Sequence, residues 1–250
     1  MSRYFIYFAY NGTRYCGWQN QPNGVSVQCC LEDVLSKVLQ HDIQIVGAGR
    51  TDAGVHARIM VAHFDAPETV ENTALLTGKL NNMLPKDIAI FKIAPVKEDA
   101  HARFDALSRT YKYIIAEKKD PFNYEYVCRM SLNNMDFDAM NDACTVLFDY
   151  SDFTSFSKLH TDVKTNNCRI YEAGWKKEGD VWVFTIRADR FLRNMVRAIV
   201  GTLFEVGRGK IPVDGFRDII EAKSRSRAGT SAPAEGLALM DIEYPDNLFN

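Results

Sequence analysis

The sequence predicts an α+β protein, and three observations carry that prediction. Short runs rich in aromatic and β-branched residues recur along the 250-residue chain. Stretches with apolar residues at helical spacing lie between them. The order of the two patterns then repeats, with insertions, in the second half. An apolar fraction of 46% and a charged fraction of 25% are globular values that exclude extensive disorder. The apolar run from Tyr4 to Tyr10 is too short to span a bilayer, and it lacks the basic flank and cleavage site of a secretory signal. A cytoplasmic protein with no membrane partner is therefore expected.

The elements follow in order. Arg3–Tyr10 reads as a strand. After a Gly/Asn-rich loop, Val27, Cys30, Leu31, Val34, Leu35 and Val38 mark one face of a helix with Ser26 as N-cap. Ile43–Val46 and Arg58–Phe64 read as strands, Thr69–Leu84 as a helix stopped by Pro85, and Ile88–Val96 as a strand. This β-α-β-β-α-β order is the ferredoxin-like signature. The second half gives a strand at Ser108–Ala116, then a helix at Asp136–Phe148. A hairpin of Arg169–Trp175 and Val181–Arg187 follows, turning around Glu178 and Gly179. Helices at Phe191–Val206 and Gly215–Ala222 and a strand at Leu237–Tyr244 complete it. Two domains are expected, 1–100 and 101–250, with antiparallel sheets side by side and a groove for a large ligand between them.

The cysteines, at 16, 29, 30, 128, 144 and 168, form no C-x-x-C pair, which excludes zinc-ribbon and thioredoxin readings. All six are expected to be reduced and structural. The histidines at 41, 56, 63, 101 and 160 have no metal-ligand spacing, and His63 reads as packed. Neither a metal nor an organic cofactor is expected.

Three segments can carry chemistry. In Gly47-Ala48-Gly49-Arg50-Thr51-Asp52-Ala53-Gly54-Val55-His56-Ala57, glycines bracket one guanidinium and one carboxylate between two strands. Spacing alone leaves two readings, a salt-bridged brace or a presented reactive site; no phosphate-loop pattern fits. In the second segment, Arg190, Asn194, Arg197 and Gly201 line one helical stripe opposite Leu192, Met195, Ile199 and Leu203. Residues 185–230 hold ten basic and five acidic side chains, a local +5 in a chain of net −2. That asymmetry favours a phosphate-facing surface over a merely solvated one. The third is His101-Ala102-Arg103-Phe104 followed by Arg109-Thr110-Tyr111-Lys112-Tyr113. Strand alternation puts Tyr111, Tyr113 and Ile115 on one face, as base-stacking aromatics or as ordinary core.

Arg50-Thr51-Asp52-Ala53-Gly54-Val55-His56-Ala57 resembles the active-site motif of the TruA family of tRNA pseudouridine synthases. The resemblance extends over nearly the whole chain. It takes in Tyr10-Asn11-Gly12-Thr13, Gly17-Trp18-Gln19, Val27-Gln28, His101 to Phe104 and Arg109 to Tyr111. Further on it includes Asp152-Phe153-Thr154-Ser155-Phe156, Phe191 to Arg197 and Pro233-Ala234-Glu235-Gly236-Leu237. It implies a cofactor-free homodimer that isomerises uridines at conventional positions 38, 39 and 40 of the tRNA anticodon stem-loop. It also implies two pseudo-symmetric ferredoxin-like halves around an RNA-binding cleft, with Asp52 as the catalytic aspartate. Whether that aspartate adds to the base, traps the ribose or deprotonates it stays open. The implied substrate-binding residues are Arg50, filling the vacated stack; Arg197, pairing with Asp52; Tyr111, packing on the uracil; and Leu237, as an apolar wall. Asp105 departs from the pattern, where a small residue is expected, and so does the acidic net charge. Two rival readings remain: a non-catalytic RNA-binding protein of two ferredoxin-like units, against which the missing RNP aromatic signature counts, and a metal-free hydrolase using Asp52.

Overall fold

The computed structural model describes residues 2–22, 24–158 and 165–249; His160 lies outside the described residues. The fold is α+β, and the chain divides into two compact units, Met1–Ser108 with Leu239–Asn250, and Arg109–Ala238. The last strand starts in the second unit, with Leu237 and Ala238, and continues in the first from Leu239.

In the first unit the chain runs β1 (Ser2–Tyr10), α1 (Val27–Leu39), β2 (Ile45–Gly47), β3 (His56–Ala66), α2 (Thr73–Met83) and β4 (Ile88–Pro95). Strand β1 pairs antiparallel with both β3 and β4, and β2 pairs antiparallel with β3. The rings of Phe5, Phe8 and Phe64 and the side chain of Ile6 form its core. Ser26 caps α1, its Oγ accepting from Cys29 N, and Val27, Leu31, Val34 and Leu35 are buried as the spacing predicts. Cys30 and Val38, expected on the same face, are only half-buried. Helix α2 begins at Thr73 and not Thr69, because Asn72 Oδ1 takes Leu75 N and caps it there. Strand β2 starts at Ile45, since Ile43 N is drawn aside to Ser36 Oγ.

The second unit comprises β5 (Ser108–Ala116), β6 (Cys128–Arg129), α3 (Phe137–Val146), β7 (Ile170–Glu178), β8 (Val181–Ala188), α4 (Met195–Gly207) and α5 (Val213–Glu221), and β9 (Leu237–Glu243) follows. Strand β8 pairs antiparallel with β5 on one side and β7 on the other, and the β7–β8 turn carries Gly179 at φ 60°. The two-residue β6, parallel to β5, is too short to leave a periodic signal. Helix α3 gives way at Leu147 to a 3-10 turn and does not run on to Phe148. Asp152-Phe153-Thr154-Ser155-Phe156 is a structural brace: both phenylalanines are fully buried, and Ser155 Oγ donates to Ile219 O and accepts from Ser224 N.

Helix α4 begins at Met195, because Asn194 takes a left-handed φ of 65°. Arg190 and Phe191 to Arg193 therefore precede the helix, and the arginine stripe is not a helical face. Of the thirteen helix residues only Arg197 and Glu205 escape burial. All six cysteines are free thiols. Cys128, Cys144 and Cys168 are buried, whereas Cys29 is exposed and no packed core residue.

Candidate active site

The loop 48–55 joins β2 to β3 in the first unit. Its turn is closed by Val55 N donating to Asp52 O at 3.1 Å, with Gly54 at φ 79° in the third position. Positive φ at that position alone defines a type II turn, which favours glycine there. Asp52, opening this turn, is half-buried, and Arg50 two residues earlier is exposed.

The loop owes its position to the segment 10–18, whose backbone presses on both of its shoulders. Before Asp52, Thr51 O accepts from Trp18 N at 3.3 Å, and a Cβ on Gly17 would stand 2.4 Å from that same oxygen. The Thr51 and Tyr10 hydroxyls share a buried hydrogen bond of 2.8 Å. After Asp52, Gly54 N reaches Tyr15 O at 3.4 Å, and Gly12 lies so close to Val55 that a Cβ would fall 2.0 Å from its carbonyl oxygen. Gly12 N also donates to Nδ1 of the buried His56 at 3.0 Å, so that nitrogen carries no proton and the ring proton sits on Nε2. Only glycine allows main chains to approach this closely. Trp18 completes the clamp: its indole covers Gly47, where a Cβ would come within 2.5 Å, and stacks on Phe8. The clamp is anchored in turn by Asp87, which accepts from Arg14 at 2.6 Å and from Tyr15 Oη at 2.7 Å.

The segment 101–105 belongs to the first unit and is equally fixed. Buried His63 accepts Ala102 N on Nδ1 at 3.1 Å, and burial pulls its pKa down from 6.5 to about 4. His101 packs edge-on against His63 and, its pKa itself lowered by burial, accepts Arg103 N on Nδ1. Asp105, the departure noted in the sequence, has a local role: its Oδ2 accepts from His101 N at 2.6 Å.

The remaining candidates lie in the second unit. Arg197 on α4 is half-buried; its Nε donates to Ala232 O at 2.7 Å while Ala232 N donates to Arg197 O at 2.9 Å. One turn on, a Cβ on Gly201 would stand 1.8 Å from Thr230 O, so residues 229–232 lie as a strap along the helix. The strap leads to Leu237, buried, whose N donates to Ala234 O. Tyr111 is buried, in a T-shaped contact with Phe191 at 5.1 Å. Its neighbour Tyr113 is core: fully buried, with Oη donating to Pro233 O. Burial drives that phenol's pKa far above its usual range. Arg50 and Asp52 thus share one loop, and Arg197 shares a strap with the chain entering Leu237. The clamp residues Tyr10, Gly12, Gly17 and Trp18 entered the sequence reading only as parts of the resemblance, because nothing local shows what they touch.

The chain as a whole is similar to known proteins. A family model described as tRNA pseudouridine synthase matches residues 6–105 and 149–245. The curated tRNA pseudouridine synthase A of Parabacteroides distasonis is 64% identical over 249 residues, covering 100% of this chain and 98% of its own. That of Porphyromonas gingivalis is 60% identical over 252 residues, with both chains covered in full. The more distant one of Geobacter sp. is 39% identical over 240 residues, 95% of this chain and 96% of its own. Such matches define an enzyme of the isomerase class. The chain belongs to the tRNA pseudouridine synthase family.

Proposed function

We propose that the protein converts uridine to pseudouridine at positions 38, 39 and 40 of the tRNA anticodon stem-loop, with Asp52 as its catalytic carboxylate. The reaction breaks the N1–C1′ bond and forms a C5–C1′ bond. The C5 hydrogen leaves as a proton and N1 gains one, so atoms balance without a cofactor. The carboxylate of Asp52 acts as nucleophile or base toward the nucleoside during this exchange. A stacked nucleotide cannot rearrange in this way, so the target uridine is extruded first. Arg50, exposed beside Asp52, fills the vacated stack. Arg197 pairs with the carboxylate and keeps it ionised. Tyr111 holds the uracil face and Leu237 supplies an apolar wall. In this reading the chain forms two pseudo-symmetric ferredoxin-like halves flanking an RNA-binding cleft and works as a cytoplasmic homodimer.

The observation that carries the proposal is the Asp52 turn: a carboxylate at the head of a type II turn whose neighbours on both sides are fixed by backbone contacts. Such preorganisation is what a reacting group needs and a surface brace does not. The test is to incubate the protein with unmodified tRNA transcripts and map pseudouridine by base. Modification confined to 38, 39 and 40 is the expected result. Modification elsewhere in the tRNA overturns the site assignment, and none at all favours the non-catalytic RNA-binding reading. Sedimentation at twice the chain mass tests the homodimer.

A further inference from the structure

We infer that Tyr10, at the end of β1, is a positioning residue for the reaction, acting on Asp52 through the hydroxyl of Thr51; this rests on the reading of Asp52 as the catalytic carboxylate. Tyr10 Oη and Thr51 Oγ1 lie 2.8 Å apart, and both residues are buried, at 3% and 9% exposure. Thr51 immediately precedes Asp52, so whatever fixes the backbone of Thr51 fixes the direction in which the carboxylate leaves the chain. Its carbonyl is already held by Trp18 N, but at 3.3 Å, a long contact. The shoulder after Asp52 is constrained more tightly, by the Gly12–Val55 approach and the His56–Gly12 hydrogen bond. Beside that contact and the close approach of Gly17, the shared hydroxyl bond adds a side-chain restraint against rotation of the 51–52 peptide. A phenylalanine at position 10 and a valine at position 51 would nearly keep the packing volumes and remove that bond.

The position of Tyr10 supports the assignment. It is the last residue of β1, where pairing with β3 shifts register between Phe8 and Tyr10, Tyr10 being opposite Ala57. Such an irregularity re-aims a side chain relative to the strand. Here the ring goes to the loop preceding β3, a contact 41 residues away in sequence. A misplacement of about 1 Å in a catalytic group can cost on the order of a hundredfold in rate, so a partial loss of restraint should cost less.

The test measures kcat, KM and tRNA affinity for Tyr10→Phe, Thr51→Val, the double variant and Thr51→Ser, with Asp52→Asn beside them. Each of the first two is expected to lose about tenfold in kcat while KM and tRNA affinity stay unchanged. The double variant should be no slower than the worse single, because both remove one contact. Thr51→Ser, which keeps the hydroxyl, should retain near wild-type kcat. Wild-type kcat in Tyr10→Phe, or additive losses in the double variant, overturns the inference. So does a loss that Thr51→Ser fails to restore. If Asp52→Asn is inactive while Tyr10→Phe is normal, the inference alone fails. If Asp52→Asn remains active, the catalytic reading of Asp52 fails and takes the inference with it.

Discussion

The loop around Asp52 and the region around Arg197 both gather arginine and glycine, yet they hold their polar groups by opposite means. In the loop, the restraint is applied to the main chain, by the segment 10–18 on both shoulders, and the Arg50 side chain is left exposed. Around Arg197 the restraint is applied through the side chain itself, which is bonded to a carbonyl of the strap that Gly201 admits against the helix. Residue type alone treats Arg50 and Arg197 alike. The structure separates an arginine offered outward from one enlisted in holding the fold.

Substitutions probe this difference, and the glycines should respond most. Gly201→Ala drives a Cβ into Thr230 O and should cost about 3 kcal/mol of unfolding free energy. Gly49→Ala, with no atom near the added Cβ, should stay within about 0.5 kcal/mol. Denaturant unfolding of the pair measures both, and equal losses would erase the distinction between strap and open loop. Next comes Arg197→Ala, which should lower kcat roughly 10- to 100-fold with a smaller change in tRNA affinity, if the guanidinium also serves the carboxylate. Wild-type turnover would leave Arg197 a fold-holding residue only.

A third effect concerns His63, whose neutral ring receives Ala102 N. Its pKa falls from 6.5 to about 4 on folding, through burial. Between those values the unfolded chain binds a proton that the native chain does not. The stability it contributes is therefore complete above pH 6.5 and is lost as pH falls toward 4. His101, lowered in the same direction, adds to the slope. Denaturant unfolding followed from pH 7 to pH 4 should show a loss on the order of 2 kcal/mol, and His63→Gln should flatten it. An unchanged slope in the variant would remove His63 as its source. The smallest effect is that of Tyr111→Phe, about twofold in kcat against about tenfold for Tyr111→Ala, if the ring face matters and the hydroxyl does not. Equal losses would give the hydroxyl a chemical role.

Much of this was legible in the residues. The period of apolar side chains located α1 and its Ser26 cap, and strand β5 falls where aromatic and β-branched residues place it, at Ser108–Ala116. Where periodicity failed, another force explains it. Leu192 is buried at helical spacing from Met195, so the apolar pattern runs on through residues that Asn194 has already turned out of the helix. Alternation put Tyr111 and Tyr113 on one face correctly, but could not tell that Tyr113 is sealed in the core with its hydroxyl on Pro233. The glycine-bracketed turn of Asp52 was visible as a cluster of unusual residues. Its clamp was not: Gly12 and Gly17 are 40 and 35 residues before Asp52, and Thr51–Val55 touches them only in three dimensions. Contacts of that separation are set by strand pairing, which no local pattern encodes.

The central claim is that one carboxylate, presented by the turn between β2 and β3, drives the isomerisation. Single-turnover pseudouridine formation by Asp52→Asn, measured together with its tRNA affinity, tests this most directly. The expected result is a fall of about a thousandfold or more in rate with affinity nearly intact. A rate close to that of the unaltered protein would contradict it.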